Sequence, residues 1–240
     1  MGLFDFLKGS NPVDKHAARV ANKRAQAVDR WESIKKLSND KTPAAVQALL
    51  VRFTYRIDPS ITDQEEKDAA FAGVVGAGEV AVEPVCAFLR RADSIAIPLR
   101  ILEQLVPADR VTDELLRLLA DMDTEYERDP ERKIQVLSSL EQRQRSEIAA
   151  AVLRFLGDMN ETARFHAVGA LLAQSGLDDA AHQALFDALL KEESVRTRAR
   201  ILGGLAELGD AVPNALRPEV KSKLTDGFAM DPKSGAIRRA

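Results

Sequence analysis

The 240-residue chain has one cysteine, one tryptophan and two tyrosines, and aromatics make up only 5% of it. A lone cysteine excludes a disulfide scaffold. Cys86, in Val85-Cys86-Ala87-Phe88, has no basic or His neighbour in sequence that would make its thiol reactive, so it reads as a small buried hydrophobe. No apolar run reaches the ~18 residues that suggest a membrane-crossing helix. The start, Met1 to Lys8, lacks the basic region, long apolar core and cleavage site of a secretory signal. Gly2 is followed by Phe6 where a myristoylation motif has Ser or Thr. A cytoplasmic location is the expectation.

Metal and nucleotide motifs are also missing. His16, His166 and His182 are far apart, with no His-Glu-x-x-His and no paired Cys to suggest zinc. The acidic run Asp121, Asp123, Glu125, Glu127, Asp129 fails as a calcium loop, because its sixth and twelfth places hold Tyr126 and Arg132 instead of Gly and Glu. Gly73 to Gly78 is glycine-rich but follows a helical pattern, and no Lys-Ser/Thr comes after it. A helix C-terminus presents carbonyls, which repel phosphate. No catalytic residue stands out, and no metal or cofactor is expected.

What the chain does have is alanine and leucine, about a quarter of all residues and above ordinary usage. Both favour helices over strands. Charge nearly balances, with 34 Lys/Arg against 37 Asp/Glu, but it is unevenly spread. Residues 1–41 carry +4, residues 217–240 carry +3, and 42–216 carry about −10. A dedicated nucleic-acid binder would show a domain-wide basic excess.

From residue 42 the pattern is a succession of helix pairs, at 42–56 with 62–77, 80–91 with 94–106, 111–122 with 130–142, 145–157 with 161–175, and 179–191 with 194–208. Pro43 marks a helix start, Thr62 to Glu65 reads as a capping box, and Gly76, Gly176 and Gly209 read as stops. The acidic stretch 121–130 reads as an extended loop inside the third pair. A basic helix over 13–37, with an apolar stripe of Ala21, Ala25, Val28, Trp31 and Ile34, is expected to cap the first pair, leaving Arg19 and Arg30 among the bases on its other side. A helix over 216–229 is expected to cap the last pair, followed by a frayed tail. The expected organisation is a tip at 1–12, a cap at 13–40, repeats at 41–210 and a C-terminal cap at 211–240.

The later pairs match residue by residue. Glu161-Thr162-Ala163-Arg164-Phe165-His166-Ala167-Val168-Gly169-Ala170-Leu171-Leu172 lines up with Ser194-Val195-Arg196-Thr197-Arg198-Ala199-Arg200-Ile201-Leu202-Gly203-Gly204-Leu205. Arg132, Arg164 and Arg196 follow one another at intervals of 32. These second helices resemble those of HEAT repeats, and the short period is similar to the HEAT-like repeats of phycobilin lyases. The resemblance covers about 42–210, clearest in the fourth and fifth pairs. It implies an all-α fold, an α-solenoid of about five HEAT-like helix pairs with helical caps at both ends, its second helices lining a concave face.

Such solenoids mostly bind other molecules, so the expected function is a non-enzymatic scaffold or adaptor for protein partners. The best candidate contacts are Arg132, Lys133, Arg164, His166, Arg196, Arg198 and Arg200, which recur at repeat spacing on the second helices. They form either a groove for an acidic partner or ion pairs with acids of neighbouring repeats, such as Asp158, Glu161, Glu192 and Glu193. The second candidate is the apolar tip Leu3, Phe4, Phe6 and Leu7, which either folds onto the cap or docks weakly and reversibly to a membrane or partner. The alternatives are a nucleic-acid-binding protein resembling alkylpurine DNA glycosylases in layout, a lyase- or chaperone-type protein, and a peripheral membrane adaptor. Trp31, Tyr55 and Tyr126 lie outside the later second helices, which weighs against the first.

Overall fold

A computed structural model describes residues 12–240; Leu3, Phe4, Phe6 and Leu7 lie outside the described residues. The described chain is helical, with thirteen α-helices and one two-stranded sheet. It divides into two compact units, the first ending at Val111 and the second running from Thr112 to Ala240.

The first unit holds α1 (Pro12–Ala21), α2 (Ala27–Asp40), α3 (Pro43–Leu50), α4 (Ser60–Gly76), α5 (Val82–Leu89) and α6 (Ala96–Leu105). Thr42 caps α3 by accepting from the Ala45 N–H at 3.3 Å, and Pro43 occupies the first turn, where its missing N–H costs nothing. The α2 helix packs on α1, α3 and α4, and α5 packs on α3 and α6. Cys86 is buried in α5.

Three local expectations need correction here. The helix expected over 13–37 is two helices, because the chain turns at residues 22–25, where Asn22 accepts the Arg24 N–H through its side chain. That turn resets the helical phase. Val28 is therefore 70% exposed, and the buried face of α2 is Arg30, Ser33, Ile34 and Leu37. Thr62 does not cap α4, which begins at Ser60 after Pro59.

The second unit takes α7 (Ala108–Ala120) from Thr112 onward, then α8 (Glu131–Leu140), α9 (Ser146–Val152), α10 (Glu161–Leu172), α11 (Asp179–Lys191), α12 (Val195–Leu208) and α13 (Arg217–Lys223). A 3-10 turn over Leu153–Gly157 extends α9. Asn160, Asp178 and Ser194 cap α10, α11 and α12 through their side chains. The α10 helix packs on both α8 and α12, so the second helices of three successive pairs lie side by side. The first helices form the other layer, with α11 against the 153–157 turn, α12 and α13. Glycine makes these crossings close: a Cβ on Gly204 would meet Leu172 carbons at 2.2 Å, and one on Gly169 would meet Arg200 at 2.0 Å.

The C-terminus also differs from expectation. The helix expected over 216–229 is confined to Arg217–Lys223, and the expected frayed tail is a hairpin of β1 (Phe228–Met230) and β2 (Ile237–Arg239). Its register pairs Phe228 with Arg239 and Met230 with Ile237. Ile237 is buried, and β2 packs on α12. Asp231 accepts the N–H groups of Lys233 and Ser234, which shapes the turn, and Gly235 takes φ +79° to close it. Asp231 to Gly235 between two short apolar-containing runs was the available sequence signal.

Candidate functional site

Two networks of charge are built into this fold, one in each unit. In the first, Arg30 on α2 and Arg52 on the 3-10 turn Val51–Thr54 converge on Glu66 of α4. Arg30 Nε lies 3.0–3.1 Å from the Glu66 oxygens, and Arg52 Nε lies 2.7 Å from Oε2. Arg52 also donates to Asp63 Oδ1 at 2.7 Å and to the Tyr55 carbonyl at 3.2 Å, with its guanidinium over the Tyr55 ring. Lys67 donates to the other Asp63 oxygen at 2.6 Å. Arg30, Arg52 and Glu66 are all buried. Arg30, expected among the free bases of the cap, is thus a core residue; its partner lies 36 residues on, beyond any local sequence signal.

Burial works to raise the Asp63 pKa, but hydrogen bonds from Lys67, Arg52 and the Ile57 N–H outweigh it and hold the carboxyl at about 2. A carboxyl depressed in the folded state stabilises the fold fully above its unfolded value and loses that contribution as pH falls through the folded one. The expected outcome is a loss of about 2 kcal/mol between pH 4 and pH 2. Asp63→Asn abolishes that part of the acid dependence in urea melts taken across the range.

In the second unit, the seven basic candidates occupy graded environments. Lys133 is 1% exposed; its Nζ donates to Asp158 Oδ2 at 2.9 Å and to the Asp123 carbonyl at 2.8 Å, with Glu127 at 3.3 Å. Burial pulls the Lys133 pKa down, but Asp158 and Glu127 more than reverse this, so it lies above the usual lysine value. Arg164 on α10 makes a two-pronged contact with Glu192, Nε and Nη2 each at 2.8 Å from an oxygen. The Glu192 carboxyl is held below its usual range, because Arg164 and the Ser194 N–H outweigh its burial.

His166 and Arg200 share Glu141, with Arg200 Nη2 at 2.6 Å from Oε2. Arg196 lies 3.6 Å from Glu161 and stacks on the Phe165 ring at 3.7 Å, where Arg200 also sits at 4.1 Å. Arg132 is half-buried on α8 and engaged. Arg198 differs from the rest. Its guanidinium meets no acid among the described residues, and its Nε, like that of Arg132, is buried without a hydrogen-bond partner.

No family model, curated protein or solved structure matches this chain. The geometry contains a pattern that spacing only hinted at: in α8 and α10, a base in the first turn reaches the acid in the next pair's turn. Lys133 reaches Asp158 and Arg164 reaches Glu192, and those acids sit two residues before the caps Asn160 and Ser194. Counted from the caps Asn160 and Ser194, Arg198 in α12 holds the place of Arg164 in α10, and it meets no acid among the described residues. Among the described residues no cluster of three or more His, Cys, Asp or Glu could hold a metal, and no single helix is long and apolar enough to cross a membrane.

Proposed function

We propose that the chain is a non-enzymatic scaffold of the HEAT-like α-solenoid kind, binding protein partners through the face formed by its second helices. The side-by-side packing of α8, α10 and α12 supports this reading. One pair cannot bury its own apolar face, whereas stacked neighbours bury a shared core and leave a long outer surface for contacts.

The observation that carries it is the open end of the ion-pair series. Arg164 is neutralised by Glu192, whereas Arg198 meets no acid among the described residues and is left half-buried. A half-buried guanidinium without an acid favours association with an acidic side chain brought by another protein. The experiment compares proteins retained from native extract by the immobilised full chain, by Arg198→Gln and by Arg198→Glu. Retention by the wild type that falls about tenfold in both variants, with unchanged circular dichroism, fits one lost charge-assisted contact. A wild-type chain that retains nothing above a blank support, or variants that retain as much as the wild type, overturns the reading.

A further inference from the structure

The turns joining first to second helices in the second unit form an edge with its own chemistry. Three large apolar side chains stand exposed in three successive turns or just after them, Tyr126 at 76%, Met159 at 62% and Val195 at 60%. The first two turns are tied together, since the Met159 N–H donates to the Thr124 carbonyl at 3.0 Å and Lys133 donates to both the Asp123 carbonyl and the Asp158 carboxylate. Beside Asp158, between the 153–157 turn and α11, opens a pocket of about 470 Å³. Leu153, Leu156, Ala184 and Ala188 form its apolar wall. Its exposed rim carries Asp187 and Glu193 against one exposed base, Lys191. The neighbouring segment 121–131 adds six Asp/Glu against the single Arg128.

We propose that this edge is a docking groove for a basic peptide segment of a protein partner, with one large apolar side chain of that segment seated in the pocket. The inference rests on the scaffold reading and gives one of its contacts a chemistry. Charge complementarity selects the occupant. Asp158 and Glu192 are already neutralised by Lys133 and Arg164, so the pocket floor is electrically quiet and suits an apolar group. The carboxylates Asp187 and Glu193 at the rim, and the 121–131 acids beyond it other than Glu127, which Lys133 neutralises, attract cations on either side of that group. An acidic or purely apolar segment would leave those carboxylates unmatched. A pocket of this volume takes a leucine or phenylalanine side chain.

The test is fluorescence anisotropy on the full chain with three labelled peptides. One has eight lysines around a central Leu-Phe, the second replaces Leu-Phe by Ser-Ser, and the third replaces the lysines by glutamates. The Leu-Phe peptide is expected to bind about tenfold more tightly than the Ser-Ser peptide, as burial of one large apolar side chain predicts. The glutamate peptide is expected not to bind. Asp187→Lys with Glu193→Lys, both exposed and peripheral to the fold, weakens the Leu-Phe peptide about tenfold, and Met159→Ser weakens it measurably. Equal binding of the Leu-Phe and Ser-Ser peptides, or unchanged affinity in the double variant, overturns the proposal. So does a chain lacking residues 1–11 that binds tenfold more tightly, since the chain's own apolar tip would then be the occupant. Failure here with partner capture intact removes this site alone, whereas a wild-type chain that captures no protein removes the scaffold reading whatever the peptides do.

Discussion

Glu66→Ala lowers the unfolding free energy by about 3–5 kcal/mol, read from the urea midpoint, and is the most damaging single substitution expected in the first unit. Glu66 is 1% exposed and accepts from two guanidiniums, those of Arg30 and Arg52, themselves 4% and 0% exposed. Its removal leaves two buried positive charges with less than their compensation. Arg52 keeps Asp63, but Asp63 is already shared with Lys67. Arg30 keeps only the backbone carbonyls of Lys23 and Ala25. Glu66→Gln costs less, because the amide oxygen still accepts one hydrogen bond. A loss below about 1 kcal/mol for Glu66→Ala would mean that water reaches the network and screens its charges.

Lys133→Ala has an effect of similar size in the second unit, about 3–5 kcal/mol. The Asp158 side chain is fully buried, and apart from the Asn160 N–H at 2.8 Å its compensation comes from Lys133. The same ammonium ties down the 121–130 loop through Asp123 and Glu127. The variant therefore shows two separable effects, a lower midpoint and faster proteolytic cutting within 121–130. Asp158→Asn frees the loop less, because Lys133 retains Glu127 and the Asp123 carbonyl. Cutting in the loop that does not change in Lys133→Ala would show that Met159 and Thr124, not the lysine, hold it.

How much of this was legible in sequence depends on how local each cause is. The α11–α12 pair could be placed because Asp178 and Ser194 cap it and Gly209 ends it at φ +73°, all signals within a few residues of the boundary. The break between α1 and α2 was missed because the run from Val13 to Leu37 is rich in helix formers, and the short Asn22 turn only re-phases it. The C-terminal strands were missed because α13 begins as expected and only the Asp231 turn marks the change. Individual basic residues could be read from the repeat, but their environments could not. Lys133, Arg164 and Arg198 look alike in sequence, and what separates them is an acid 25 or 28 residues on, or its absence. The turn edge with Met159 and Val195 gave no sequence signal, since exposure of an apolar residue in a cap depends on what packs over it.

The most direct measurement of the central claim, that the second unit is the binding surface, is hydrogen exchange on the full chain with and without a protein captured by the wild type. The expected result is slowed exchange within Thr112–Ala240, in the first turn of α12 around Arg198 and at the turns near Met159 and Glu193, with residues 12–111 unchanged. Slowing confined to residues 12–111, or none anywhere, would contradict it.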